Sequence, residues 1–169
     1  MMWLKYFITL VLLYLFAVLQ DSFFVHYSLF GATPNLVFVL FFTLVFFSRK
    51  GDYYYLVFCA IFAGIFLDTF STTFFGLSII ILSIVGFTVK WIQAMLQIKK
   101  NDNFPFSYFL PIFFVSLLAY DLILQSFSLY LGFFVGIVYN LALASIFFYI
   151  YKKFFLANEN NRQLNLFNQ

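Results

Sequence analysis

The sequence predicts an all-α membrane protein of six transmembrane helices with both termini in the cytoplasm. Three observations lead there. Of the 169 residues 65% are hydrophobic and only 9% charged, with a mean hydropathy of +1.02. A soluble domain of this length has no interior large enough for 30 Phe and 12 Tyr, whereas lipid accepts them on the outside. Second, six apolar runs are separated by short polar or turn-forming segments. Third, every Lys and Arg falls on one side of a six-helix arrangement. Lys5 opens the first helix, Arg49 and Lys50 join the second and third, Lys90, Lys99 and Lys100 join the fourth and fifth, and Lys152, Lys153 and Arg162 follow the sixth. The positive-inside rule then puts these segments in the cytoplasm, and an odd helix count would break the partition.

The first run, about Trp3 to Leu19, is longer than a signal-peptide core, and Ala17-Val18-Leu19 lacks small residues at both cleavage positions, so it is read as an uncleaved anchor. Gln20 to Gly31 mixes polar and aromatic residues, which suits a short element lying in the interface. Thr33 as cap and Pro34 in the first turn open the second helix, which runs to about Phe47. Tyr53-Tyr54-Tyr55 forms an interfacial belt at the start of the third helix, which ends near Asp68. The fourth begins at Phe74 or Gly76 and passes through Val89, where Lys90 and Trp91 mark an interface that the lysine stem reaches by snorkelling. Gln93 to Phe106 is the most water-exposed loop. The fifth helix covers Tyr108 to Leu124 and the sixth Leu129 to Tyr151. Residues 1–151 thus form one transmembrane domain, and 152–169, rich in Asn and Gln, a disordered cytoplasmic tail.

Ala60, Gly64 and Asp68 share one face of the third helix: two small residues that admit another helix, then a carboxylate. An acid in so apolar a segment needs a partner, an interface or a proton. Because a carboxylate at a helix C-terminus opposes the macrodipole, Asp21 and Asp68 are expected to cap the elements that follow them. Asp121, with Gln125 and Ser128 on its face, has no cation on its side and is expected to be uncharged or water-linked. Gly132, Gly136, Asn140 and Ala144 make a small-residue stripe that packs within the chain or against a partner helix, a second copy included. The outward ends Asp21-Ser22-Phe23, Asp68-Thr69-Phe70 and Gln125-Ser126-Phe127, each followed by a glycine, suggest three related hairpins.

No catalytic, cofactor or metal site is encoded. Gly-x-Ser-x-Gly, HExxH and P-loop patterns are absent, and Cys59 and His26 are each single. Asp21, Ser22, His26 and Ser28 have the residue types of a hydrolytic triad but no oxyanion hole, and are read as a wet interfacial turn. The cations line a membrane surface rather than a groove, which argues against nucleic acid.

Leu19-Gln20, Phe30-Gly31, Pro34-Asn35-Leu36 and Ala63-Gly64-Ile65-Phe66-Leu67-Asp68 followed by Gly76 resemble the MreD family of rod-shape-determining proteins. Family members typically carry Pro-Asp-Leu where this chain has Pro34-Asn35-Leu36, so the hydrogen bonding of that position is kept without its charge. The resemblance implies a bundle similar to the substrate-binding subunits of energy-coupling-factor transporters. It implies a scaffold in the bacterial inner membrane that binds MreC and links MreB filaments to RodA and its transpeptidase in the cell-elongation machinery. The face carrying Gly64 and Asp68 is then the expected contact with MreC. The competing reading is a true small-molecule-binding subunit, but the Ala-x-x-x-Ala docking face common on the first helix of such subunits is missing here.

Overall fold

The computed structural model describes residues 2–28, 31–49, 51–70, 74–96, 106–124 and 131–153. Residues 97–105 of the expected polar loop, the Gln125-Ser126-Phe127 hairpin end, the side chains beside Asp121 at 125 and 128, and the tail from 154 lie outside them. Among the described residues the fold is all-helical. The elements are α1 (Met2–Leu19) continuing into a π-helical turn (Gln20–Phe24), α2 (Leu36–Phe47), α3 (Tyr53–Thr69), α4 (Leu77–Met95), α5 (Phe106–Leu124) and α6 (Leu131–Tyr151). Four of these, Trp3–Phe24, Leu77–Met95, Phe106–Leu124 and Leu131–Tyr151, are long and apolar enough to cross a membrane; α2 and α3 are shorter.

The short helix α2 is the hub. Eleven of its 12 residues are buried, as expected for a helix that is apolar on every side. The other five surround it in the order α1, α3, α4, α5, α6, and Phe16 of α1 closes the ring on Phe147 of α6 at 5.4 Å. Against α5 the packing is aromatic: Phe42 meets Phe113 at 5.0 Å and Phe46 meets Phe109 at 5.0 Å, both edge to face. At 12 residues α2 is about 18 Å long, well short of a ~30 Å hydrocarbon core. Protein rather than lipid encloses it, so its ends can stop inside the bundle provided that their backbone groups find partners there.

The most extensive pair is α3 with α4. A Cβ on Gly64 would lie 2.6 Å from the backbone N and Cα of Ile79, so the two helices approach as only glycine allows. The Ala60–Gly64–Asp68 face is therefore filled by α4 within the chain, with all three residues buried.

The structure corrects several expected boundaries. Gln20 to Phe24 prolong α1 in a wider winding instead of starting a separate interfacial element. Asn35 rather than Thr33 caps α2, its side chain accepting from Phe38 N. Pro34 disfavours helical geometry for the residue before it, which keeps Thr33 out of the helix. Of the tyrosine belt, Tyr53 and Tyr54 are exposed, but Tyr55 turns inward to share a 2.9 Å hydrogen bond with the Thr9 hydroxyl. The start of the expected polar loop, Gln93 to Met95, is instead the last turn of α4, with Gln93 buried, and its end, Phe106, opens α5.

Candidate functional site

Both ends of α2 are held by side chains from other helices. At its N-terminus Asn35 Oδ1 accepts from Phe38 N at 3.0 Å, Gln20 Oε1 from Val37 N at 3.3 Å, and Asn140 Oδ1 from Asn35 N at 2.7 Å. Three otherwise orphaned amides are thus satisfied from the π turn, from the cap residue itself and from α6. Pro34 and Leu36, on either side of the cap, are buried. The stripe on α6 that carries Asn140 consequently faces α2 and the segment before it, with Ala144 also fully buried.

Beside this, Asp68 caps the next helix, as its position suggested. Its Oδ2 accepts from Gly76 N at 2.6 Å and its Oδ1 from Ser78 N at 3.1 Å. Gly76 is the N-cap of α4 and has φ +98°, a left-handed conformation that suits glycine. A carboxylate at this N-terminus lies at the positive end of the α4 dipole, which favours it although the same group sits at the last turn of α3. Ser78 and Tyr120 hydroxyls approach to 3.5 Å and tie α4 to α5. Asp21 does not behave like Asp68. It lies inside the π turn, and the neighbouring Gln20 supplies the cap instead.

At the opposite end the expectation for Lys90 is overturned. It is 5% exposed and does not snorkel. Its Nζ donates to the carbonyl of Ser48 at 3.0 Å and, more weakly, to Arg49 O at 3.5 Å and Gln93 Oε1 at 3.4 Å. Gln93 Nε2 donates to Phe46 O at 2.8 Å. The physical reason is the C-terminus of α2, whose unpaired carbonyls attract a cation more strongly than the interface does. Nearby, Lys5 Nζ reaches Asp52 Oδ2 at 3.3 Å and stands 3.5 Å from the centre of the Tyr55 ring, while Asp52 Oδ1 caps α3 through Tyr55 N.

Asp121 does not join the caps. It borders a partly open cavity of about 130 Å³ lined by Gly31, Ala32, Thr33, Gly132, Phe133, Gly136 and Asn140. Here polar groups of the Asp68 end border open space rather than each other. The suspected triad gains no support from geometry. His26 Nδ1 lies 3.0 Å from the main-chain oxygen of Ser22, and both residues are exposed. Among the described residues no three His, Cys, Asp or Glu come together as a metal site.

The sequence pointed to Asp68, Asn35, Gly64 and Gly76. It gave no sign that Lys90 and Gln93 belong to the same device, since their partners lie 42 and 47 residues away. Compared with protein families, with curated proteins and with solved structures, the chain finds no match.

Proposed function

We propose that the chain is a non-catalytic scaffold of the bacterial inner membrane, similar in role to the MreD proteins, with six helices crossing the membrane and both termini in the cytoplasm. The observation that carries this reading is the use made of the residues behind the resemblance. Gln20, Asn35, Gly64, Asp68 and Gly76 each join one helix to another. Polar groups spent on caps make a fixed platform. That speaks for a scaffold over a small-molecule carrier.

With the Gly64–Asp68 face filled by α4, MreC, a single-span partner, would lie against the outer surface of the ring. The test is co-purification with the host's MreC, followed by cross-linking from single cysteines. The native Cys59 is fully buried, so new thiols at the exposed Phe7, Ile80, Val115 and Val138 report four helices separately. Retention of MreC, with cross-links confined to one or two adjacent helices, is the expected result. A folded protein that retains no MreC would overturn the reading.

A further inference from the structure

Asp121 differs from the groups that build the caps at its end of the bundle. Gln20, Asn35, Asp68, Ser78, Tyr120 and Asn140 all have hydrogen-bond partners within the chain. Asp121 has neither a hydrogen bond nor an ion pair among the described residues, and it is partly buried on the wall of the cavity. A carboxylate so placed within an apolar bundle calls for a counter-ion or a proton. Among the described residues no cation stands there. Lys5 at the start of α1, Arg49 after α2, Lys90 late in α4, and Lys152 and Lys153 after α6 all belong to the opposite end.

We propose that this cavity is a binding site for a small primary ammonium group, with Asp121 as its counter-ion. Size sets the first limit. About 130 Å³ holds roughly four waters at ~30 Å³ each, or a group of a few heavy atoms such as an aminoethyl unit. Charge number sets the second. Ca²⁺ or Mg²⁺ wants six or more oxygens and Zn²⁺ three or four His, Cys or carboxylate ligands, whereas Asp121 is the one such residue among those lining the cavity. A primary ammonium has three donors, which match one carboxylate and neutral acceptors among the lining residues, such as the Thr33 hydroxyl and the second lone pair of Asn140 Oδ1. The glycines at 132 and 136 keep the space open. An ethanolamine lipid headgroup and a free alkylamine carry the same aminoethyl chemistry, and this proposal is independent of the scaffold role.

The experiment is equilibrium dialysis of radiolabelled ethylammonium against the full chain in phosphatidylcholine nanodiscs. Wild type should bind saturably at one site, and Asp121→Asn should weaken binding about tenfold or more. Gly136→Ala adds a methyl whose nearest neighbour, the Ala32 Cβ, is 3.8 Å away, an ordinary contact that leaves the fold intact. It narrows the cavity and should weaken binding with Asp121 still present. Tetramethylammonium, which has the charge but no N–H, should not compete. In phosphatidylethanolamine nanodiscs, loss of ethylammonium binding would identify the headgroup as occupant, and undiminished binding a free amine. The proposal is overturned if folded wild type takes up no ethylammonium saturably, if Asp121→Asn binds as wild type, or if tetramethylammonium competes equally.

Discussion

The two ends of α2 solve one problem with opposite chemistry. At the N-terminus the orphan groups are amide hydrogens, and the chain presents oxygens: Asn35, Gln20 and Asn140 on α2, with Asp68 doing the same for α4 alongside. At the C-terminus the orphans are carbonyls, and the chain presents N–H donors, the Lys90 ammonium and the Gln93 amide. The direction of one buried helix therefore dictates which residue types its neighbours carry at each level. The same polarity fixes the sign of the charge that each end tolerates.

Mutations can break this comparison, and all can be read by thermal unfolding in detergent followed by circular dichroism. The largest effect is expected where neither end can compensate. Gly64→Val places methyl groups into the Ile79 backbone and should cost about 3 kcal/mol or more, since a backbone cannot step aside as a side chain does. Asp68→Ala strands two amides at the start of α4 and should cost about 3 kcal/mol, with Asp68→Asn intermediate because one acceptor survives. Should Asp68→Asn equal wild type, the charge plays no part in the cap. Lys90→Met keeps the apolar stem but leaves the Ser48 carbonyl unpaired, for about 2 kcal/mol. Recovery in Lys90→Arg would show that the requirement is a cationic donor and not lysine itself. The smallest contrast sharpens the picture. Asn35→Ala should cost about 1 kcal/mol as a lost cap, whereas Asn35→Asp, which keeps the acceptor, should fall within about 0.5 kcal/mol of wild type.

Much of this was legible in the residues, and the rest was hidden for definite reasons. Asp68 could be read as a cap because its position at a helix C-terminus was unfavourable in its own helix and Gly76 followed closely. Helix positions followed from the apolar runs and the breakers between them. The hub was not legible. In a soluble protein a helix apolar on every side must be buried, but in lipid an outward face is equally apolar, so LVFVLFFTLVFF marks an interior and an exterior helix alike. Lys90 was misread for a related reason. A lysine at the end of an apolar run beside Trp91 has the pattern of an interfacial anchor, and only the arrival of the α2 C-terminus changes its best partner. Gly64 promised close packing, yet sequence alone could not say whether the second helix came from this chain or another.

The bond from Asn35 N to Asn140 Oδ1 spans 105 positions, and this separation has a meaning for how the protein is made. A chain emerging from its amino end delivers α2 early, while the acceptor that completes its first turn arrives only with α6. Until then the hub carries an amide that lipid cannot satisfy. Assembly of the bundle should therefore be completed late, when α6 enters and closes against Phe16, and a nascent chain stopped after α5 should be more open to proteases than the finished protein is.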